Sequence, residues 1–388
     1  MKILGVLYGT NLFGRERENI ECFKAFKELG ANVQVFSSNR EVNGGEVGEL
    51  LDALGLKVGG LDFGSHFSIS YFRNIRGYWH RQIRRVFTCS IAMYRAERLM
   101  RPDFIFVGGT MEYLYLWPWL ILTRTRIIYR VADGPIWSSK FHLFVYKRLL
   151  RLSHLVVCCS EFIAEECKKL IPSPDHQKVV VLPNCVPAFP RSNSKPAIER
   201  SKNLRLIYVG QITPHKGIAV LLQSMKMLKN SPVELLVVGG SQFTSEYENE
   251  LKLMAKDEGL KVTWVGRVPN PLPYYEAADL HVAPSTYEEP FGLVVVEAKS
   301  TGTPSIIFPS GGMKSLVRDG VDGWVCKAKT AEELSESIKL ALIQHEALGA
   351  MGAAALDDYE EHYTFDAFLH GWNKILNPAI QEKFSCEK

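Results

Sequence analysis

The sequence predicts an α/β protein made of two tandem Rossmann-like domains that face a cleft. Short apolar runs rich in β-branched residues alternate with helical patterns, as parallel sheets covered on both faces require. A stretch rich in Pro, Ser and charge, at 187–203, interrupts this alternation and separates two such series. The 388 residues are 46% hydrophobic and 23% charged, which is enough for two or three domains with full cores.

The first series predicts an N-terminal domain over residues 1–190. Runs such as Lys-Val-Val-Val-Leu at 178–182 are typical of strands buried on both faces. The strands are expected near 2–8, 32–37, 104–108, 126–131, 154–159 and 178–182. The helices are expected between them, for example at 16–29, 111–122 and 160–170.

The second series predicts a C-terminal domain over residues 191–355. Its strands are expected near 204–209, 233–238, 261–265, 279–283 and 304–307. Its helices are expected near 217–229, 244–258, 293–300 and 330–343. The tail, residues 356–388, has the pattern of one or two amphipathic helices, and we expect them to pack back toward the N-terminal domain.

Charge is distributed unevenly over the two halves of the chain. Residues 1–190 carry 25 Lys and Arg against 17 Asp and Glu, a net +8, whereas residues 191–388 carry 21 against 25, a net −4. The first half therefore prefers an acidic partner or surface. No stretch is long and apolar enough to span a bilayer, and no cysteine spacing is typical of a metal site. We expect a cytoplasmic protein that holds no metal.

The stretch EEPFGLVVVEA, residues 288–298, places Glu289 and Glu297 eight positions apart around a helix that begins near Gly292. A helix N-terminus attracts anions, and a glycine there lets the backbone approach a ligand closely. Carboxylates would repel a diphosphate but would accept hydrogen bonds from sugar hydroxyls on either side of it. The pattern therefore favours a nucleoside diphosphate sugar. The alternative is that both carboxylates only complement the helix dipole.

A second candidate phosphate site lies in LIYVGQITPHKGIAVLLQSM, residues 206–225. A predicted strand ends at Gly210, and Lys216 stands just before the next helix. A lysine beside the unpaired amides of a helix N-terminus suits a phosphate. A solvated surface lysine in a strand-to-helix loop is the alternative.

These motifs together resemble those of the group-1, glycogen-synthase-like retaining glycosyltransferases, which have the GT-B fold. The resemblance rests on the E-x7-E pattern, preceded by ADLHVAPS and followed by GTPSIIFPSGG, and on VGQITPHKG, VVGG at 237–240 and VTWVGRVP. It spans most of 150–330 and is weaker before residue 150. It implies transfer of a sugar from a nucleoside diphosphate sugar to a glycan or lipid-linked acceptor with retention of configuration. It also implies that no cofactor or metal is needed.

The resemblance also implies roles for single residues. Glu289 would contact the transferred sugar, Glu297 the ribose, and Lys216 the diphosphate. The remaining donor-side positions that it implies are Gln211, Gly239, Gly266, Arg267, Val268, Phe291, Gly292 and Leu293. On the acceptor side, the loop from Gly9 to Gly14 would face the cleft, and Asp133 is a candidate whose alternative role is to form a turn.

Two departures from the family pattern keep other functions open. Gln211 stands where relatives usually have arginine, and Ala132 stands where many have histidine. Both favour the alternative of a catalytically silent binding or scaffold subunit. An epimerase of sugar nucleotides is a third interpretation. It needs an acid or base at the sugar, and His215 is the histidine that the recognised donor motifs offer.

Residues 71–101 combine eight arginines with interleaved aromatic side chains and one acid, Glu97. This composition is typical of helices that contact an anionic membrane surface, and the nearby Trp117 and Trp119 fit the same interpretation. The alternative is an amphipathic helix with a solvated arginine face. Binding to nucleic acid is not expected, because the α/β pattern and the donor motifs argue against it. A lipid contact would favour a lipid-linked acceptor, as in the synthesis of a cell-surface polysaccharide such as lipopolysaccharide.

Overall fold

A computed structural model of the chain describes residues 1–8, 14–38, 45–63, 78–132, 140–186, 203–241 and 246–386. For Tyr78, Trp79, Phe141, His142 and residues 378–386, the description covers the backbone alone. The chain divides into two units. The first contains residues 1–184 and 368–388, and the second contains residues 185–367.

The first unit is built on a seven-stranded sheet with the strand order β3-β2-β1-β4-β5-β6-β7, in which every pair is parallel. The strands are β1 (Lys2–Leu7), β2 (Asn32–Ser38), β3 (Lys57–Leu61), β4 (Phe104–Val107), β5 (Arg126–Val131), β6 (Leu155–Cys158) and β7 (Val179–Val181). The chain runs outward from β1 to β3 and then returns to β4 on the other side of β1. The order therefore reverses between β1 and β4, where such sheets bind ligands beyond their carboxyl ends.

The helices of the first unit cover both faces of this sheet. They are α1 (Gly14–Glu28), α2 (Glu46–Ala53), α3 (Tyr78–Met100), α4 (Thr110–Leu122), α5 (Lys140–Leu152), α6 (Glu161–Lys168) and α13 (Phe365–Cys386), which enters this unit at Phe368. Phe23 and Phe26 of α1 contact Phe106 of β4, with ring centroids 5.1 and 5.4 Å apart. Trp372 of α13 is fully buried and lies 4.8 Å from the Phe26 ring. This aromatic cluster attaches the C-terminal helix to the first unit.

The second unit repeats the plan with six parallel strands in the order β10-β9-β8-β11-β12-β13. They are β8 (Leu204–Gln211), β9 (Val233–Gly240), β10 (Val262–Gly266), β11 (Leu280–Ala283), β12 (Ser305–Ile307) and β13 (Gly323–Val325). The helices are α7 (Ile218–Met227), α8 (Glu246–Asp257), α9 (Leu272–Glu276), α10 (Leu293–Ser300), α11 (Ala331–Ile343) and α12 (Leu348–His362). Here the order reverses between β8 and β11.

Helix α10, which carries the second carboxylate of the E-x7-E pattern, is anchored by a buried ion-pair network. Lys299 is 1% exposed, and its Nζ lies 2.9 Å from an Asp322 oxygen and 2.6 Å from an Asp358 oxygen. Arg318 Nε contacts the same Asp322 carboxylate at 2.7 Å. A buried charge that loses its partner costs several kcal/mol, roughly 3–5. The network therefore fixes the end of α10 against α12 and the loop before β13.

The strands predicted in both halves are confirmed, but the sequence did not indicate β3. Its sequence, Lys-Val-Gly-Gly-Leu, contains two glycines and so has weak β-propensity. A Cβ on Gly59 would lie 2.4 Å from the Phe36 ring of β2. The glycine is needed because an aromatic side chain of the neighbouring strand lies across it.

Several boundaries also differ from the predicted ones. The two units divide after Asn184 instead of residue 190, and residues 356–367 lie in the second unit. The predicted strand 261–265 runs from Val262 to Gly266. The short strand β13 and the helices α2, α5 and α9 were not predicted either. No described helix combines the length and the apolar composition that crossing a bilayer requires.

Candidate functional site

The loop after β8 and the loop after β11 lie against each other at the point where the strand order of the second unit reverses. Gly217 has a φ of +76°, and a Cβ there would lie 1.8 Å from the Pro284 carbonyl oxygen. The backbone N–H of Thr286 donates to the His215 carbonyl oxygen at 2.9 Å. A glycine is required because only glycine permits this approach. The contact brings Lys216, just before α7, to the loop that precedes α10.

Glu289 is the centre of a polar cluster between these two loops. Its Oε1 accepts hydrogen bonds from Ser285 Oγ at 2.6 Å and from Lys216 Nζ at 2.7 Å, and its Oε2 accepts one from Tyr287 Oη at 2.6 Å. The Glu289 residue is 7% exposed, whereas the Lys216 side chain is 26% exposed. The carboxylate oxygens accept all three bonds. The ammonium group is therefore held in place by a buried carboxylate.

Tyr287 orients the Lys216–Glu289 ion pair by bonding to both residues. Its hydroxyl accepts a hydrogen bond from Lys216 Nζ at 3.2 Å while it donates to Glu289. Lys216 Nζ also lies 5.0 Å from the centroid of the Tyr287 ring. The His215 ring meets the same ring edge-on at 4.9 Å, and burial, with help from the Lys216 charge, lowers the pKa of His215. His215 is thus favoured in its neutral form.

The neighbouring carboxylate, Glu288, belongs to a different cluster. It accepts a hydrogen bond from Lys329 Nζ at 2.6 Å and one from the backbone N–H of Gly311. The bond from Lys329 is the largest of the effects that lower the pKa of Glu288. Gly312 N–H donates to the Glu289 carbonyl oxygen at 2.7 Å. The side chain of Glu288 therefore holds the turn at residues 311–312 in place and takes no part in the Glu289 cluster.

Helix α10 begins where the sequence predicted. Gly292, at φ +117°, stands immediately before Leu293, and a Cβ there would lie 2.9 Å from Met313 Cγ. Phe291 is buried, and its ring packs edge-on against Tyr363 at 6.2 Å. The first amides of a helix have no acceptor within the helix and attract anions. Lys216 thus follows β8, and the N-terminus of α10 follows β11. These are the two strands between which the strand order reverses, a position called the switch point below.

Glu297 lies one helical turn further along α10 and has a separate partner. Tyr275 is buried and its Oη lies 3.1 Å from Glu297 Oε2 and 3.0 Å from the Val294 carbonyl oxygen. Burial and the Glu297 charge raise the pKa of Tyr275 well above its ordinary value. The tyrosine hydroxyl is therefore a fixed donor that orients Glu297.

The other donor-side residues lie at neighbouring strand ends. Gly239 pairs with Gly210 across β8 and β9, and a Cβ on Gly239 would lie 1.8 Å from the Gly210 carbonyl oxygen. Gln211 is the last residue of β8, and its carbonyl oxygen accepts a hydrogen bond from Tyr208 Oη at 2.7 Å. Gly266, Arg267 and Val268 follow at the end of β10. Arg267 Nη2 donates to the Ser241 carbonyl oxygen at 2.8 Å. The predicted residues therefore share the carboxyl edge of one sheet.

The structure describes only some of the residues predicted on the acceptor side. Gly9 and Asp133 lie outside the described residues. Gly14 is the exposed first residue of α1, shortly after β1. Ala132 is buried at the end of β5. Their roles stay predictions.

Sequence reasoning missed Ser285, Tyr287 and Tyr275, the hydroxyl donors to the two glutamates. A signal for the first two was present, because hydroxyl side chains in APSTYEE follow directly after a buried strand. Tyr275 had no such signal, since it comes from α9, a five-residue helix that the sequence did not predict. Among the described residues, no three His, Cys, Asp or Glu side chains are grouped to hold a metal ion.

Comparison with known proteins finds a family model that matches part of the second half of the chain. Residues 191–357 match the family model of the glycosyl transferases group 1. The resemblance to group 1 glycosyltransferases noted in the sequence is thereby confirmed for these residues. The polar cluster around Glu289 lies inside the matched region.

Two curated relatives each match part of the chain. The lipopolysaccharide 1,2-N-acetylglucosaminetransferase of Salmonella typhimurium is 28% identical over 208 residues, which are 49% of this chain and 54% of that protein. The D-inositol 3-phosphate glycosyltransferase of Geodermatophilus obscurus is 33% identical over 158 residues, 37% of this chain and 34% of that protein. The chain thus spans about half or less of the length of these relatives.

A solved structure matches nearly the whole chain. The Anabaena protein Alr3699/HepE in complex with UDP-glucose has a TM-score of 0.77 and 20% identity, and the match covers 97% of this chain and all of that one (100%). At this identity the likeness shows the fold alone. The fold class predicted from the sequence, with two Rossmann-like domains of the GT-B type, is confirmed.

The switch point of the first unit contains a buried carboxyl group that the sequence did not suggest. Glu112, in the first turn of α4, is fully buried, and its Oε1 accepts a hydrogen bond from the Tyr8 backbone N–H at 2.8 Å. Its Oε2 has no hydrogen-bond partner in the described part of the chain. Burial raises the pKa of Glu112 from 4.5 to about 7, although the nearby Arg15 opposes the shift.

Glu112 should therefore make the stability of the protein depend on pH. A carboxyl pKa that is higher in the folded state gives stability that is complete below pH 4.5 and is lost as pH rises through about 7. Between pH 5 and 8 the loss amounts to about 2–3 kcal/mol. We expect Glu112→Gln, which keeps the acceptor for Tyr8 N–H, to melt about 5–10 °C above the parent at pH 8 and close to it at pH 5.

Melting curves at both pH values measure this effect. Glu165→Gln is the control, because Glu165 is exposed and pairs with Lys168 on the surface. Parallel pH dependence of the parent and Glu112→Gln would contradict the assignment.

Proposed function

We propose that the protein is a glycosyltransferase that moves a sugar from a nucleoside diphosphate sugar to a glycan or a lipid-linked saccharide with retention of configuration. One observation carries the proposal: a buried carboxylate, Glu289, holds the ammonium group of Lys216 at the switch point, beside the N-terminus of α10. Positive groups at this edge of a Rossmann-like sheet suit a diphosphate.

The chemistry follows from where charge develops. The bond between the anomeric carbon and the diphosphate oxygen breaks, so negative charge grows on the leaving diphosphate and positive charge on the sugar ring. Lys216 and the amides of α10 would stabilise the diphosphate. Glu289 would fix the sugar through its hydroxyls, and Glu297, oriented by Tyr275, would hold the ribose. The acceptor hydroxyl then bonds to the anomeric carbon and passes its proton to an oxygen of the leaving diphosphate.

The names of relatives suggest which substrates to test first. The Anabaena structure contains UDP-glucose, and the Salmonella protein is named for its action on lipopolysaccharide. For this chain we propose a UDP-linked hexose donor and an acceptor in the synthesis of a cell-surface polysaccharide. The enzyme would work in the cytoplasm, peripheral to the inner face of the membrane.

Ligand-induced stabilisation tests donor binding. At a hundred times the dissociation constant a ligand adds about 2.7 kcal/mol, so the correct nucleotide sugar should raise the melting temperature by about 5–10 °C. UDP-, GDP- and ADP-sugars are compared on the parent protein and on Lys216→Met, which should be stabilised by about half as much or less because its affinity is at least about tenfold weaker. If no nucleotide shifts the parent, the proposed donor site is refuted.

Product formation separates an enzyme from a silent subunit. Gln211, which replaces the usual arginine, is the feature that favours a binding subunit, and such a subunit would be stabilised by the donor without transferring its sugar. Incubation with a labelled donor and membrane-derived acceptors measures transfer. The anomeric configuration of the product, read by NMR coupling constants, tests retention. An inverted product would overturn that part of the proposal.

A further inference from the structure

Helix α3 presents a stripe of large apolar side chains to solvent. Ile83, Phe87, Ile91 and Tyr94 are about half exposed, at 54%, 53%, 50% and 49%. Their spacing, i, i+4, i+8 and i+11, places them on one face of the helix. Single exposed apolar residues are ordinary, but a continuous stripe of this kind marks a contact surface.

The opposite side of α3 is not free to contact a partner, because it packs against α4. Tyr115 Oη donates to Gln82 Oε1 at 3.2 Å, and Trp119 Nε1 donates to Glu97 Oε2 at 2.6 Å. The stripe is therefore not the face that attaches α3 to the sheet.

Helix α4 also exposes apolar side chains at its own C-terminal end. Trp117, Ile121 and Leu122 are exposed there, with Leu122 at 78%. Helices α3 and α4 lie side by side in the first unit. An exposed tryptophan and tyrosine are typical of side chains that reside at a membrane–water interface.

Positive charge accompanies the stripe. Arg81, Arg84 and Arg95 are exposed on α3, and no ion pair with another described residue engages them. Arg98 stacks on Tyr94, with 5.9 Å between the guanidinium carbon and the ring centroid. The single acid of α3, Glu97, is turned inward, where it accepts hydrogen bonds from Trp119 and two threonines. The exposed surface of α3 therefore combines apolar side chains with positive charge that nothing on the helix neutralises.

We propose that the exposed face of α3 docks onto a membrane surface rich in anionic phospholipid. The apolar stripe enters the boundary between headgroups and acyl chains, and the arginines contact lipid phosphates. An anionic lipid surface fits both features at once, since it offers apolar depth and negative charge. The face involves none of the donor-site residues, so the proposal stands or fails separately from the proposed transfer reaction.

Vesicle flotation measures this docking on the full chain. Vesicles of phosphatidylcholine alone are compared with vesicles that contain one part phosphatidylglycerol to two parts phosphatidylcholine, at low and at high salt. The parent should bind the anionic vesicles and lose most of this binding in high salt, because screening weakens the arginine contacts. Binding to neutral vesicles should be at least about tenfold weaker, as each arginine near an anionic surface contributes a factor of about five.

Two pairs of substitutions separate the parts of the surface. Arg84→Glu with Arg95→Glu, and Phe87→Ser with Ile91→Ser, should each lower binding to anionic vesicles by about tenfold or more. Lys261→Glu and Ile343→Ser are the matched controls, because these exposed side chains lie in the second unit. All variants should melt near the parent, since the changed side chains are exposed.

Three results would overturn the proposal. The parent could fail to bind anionic vesicles at low salt, or both α3 variants could bind like the parent. A third result is a parent dimer that becomes a monomer when Phe87 and Ile91 are replaced, while vesicle binding is unchanged. The face would then be an interface between two copies of the chain.

Discussion

Glu289→Gln should lower the rate of sugar transfer by about a hundredfold to a thousandfold, because a group placed at the reacting sugar is removed. The amide keeps the shape and can still accept the hydrogen bond from Ser285 Oγ, but it loses the charge that holds Lys216 Nζ at 2.7 Å. Affinity for a nucleoside diphosphate without the sugar should stay within about twofold of the parent, because the amide oxygen can still accept a hydrogen bond from Lys216 Nζ and the ammonium group keeps its own charge for the phosphate. Initial rates and calorimetric titration with the nucleoside diphosphate measure the two quantities.

The adjacent glutamate provides the matched control. Glu288 is also paired with a lysine, but its partners are Lys329 and the Gly311 backbone, outside the Glu289 cluster. Its side chain is 56% exposed, and such surface pairs contribute about 0–1 kcal/mol. Glu288→Gln should therefore transfer sugar within a few-fold of the parent. Full activity of Glu289→Gln would refute its role at the sugar.

Unlike Glu289→Gln, Lys216→Met should weaken both sugar transfer and diphosphate binding. A charge-assisted hydrogen bond to phosphate is worth about 1.5–3 kcal/mol, so affinity for the nucleoside diphosphate should fall by about tenfold or more. Transfer should fall by a further hundredfold or so, as the leaving diphosphate loses its counter-charge. The variant also leaves Glu289, 7% exposed, without its cationic partner. Its melting temperature is measured alongside for this reason.

A second lysine tests whether the loss of diphosphate affinity is specific to Lys216. Lys329 lies in the same region and also bonds a carboxylate, but its charge is engaged with Glu288 and the Thr286 carbonyl oxygen. Lys329→Met should keep donor affinity within a few-fold. Tyr287→Phe, which removes one bond to Glu289 and one to Lys216, should lie between the parent and Lys216→Met in kcat, with little change in KM. Unchanged diphosphate affinity in Lys216→Met would exclude it from phosphate binding.

The site was partly predictable because its glutamates, lysine and glycines stand in short local patterns. Gly292 before Leu293 could be placed at a helix start from the sequence, and the structure agrees. The partners of these residues could not be placed in the same way. Tyr275 reaches Glu297 from 22 positions away, and Lys216 and Glu289 are 73 positions apart. Such pairings depend on which strands become neighbours, and no local pattern encodes that.

The amino-acid sequence by itself determined the alternation of strands and helices, the two Rossmann-like units and the residue types of the proposed donor site. It did so because burial on both faces of a sheet imposes local, periodic patterns. Only the tertiary structure decided that β11 lies beside β8, so that Lys216 and Glu289 meet, and that Phe87 and Ile91 of α3 remain exposed. These outcomes depend on packing between segments that are distant in sequence. A strand or helix face that packs against one segment is no longer available to another. The same amphipathic pattern in α3 would suit a buried face or an exposed one.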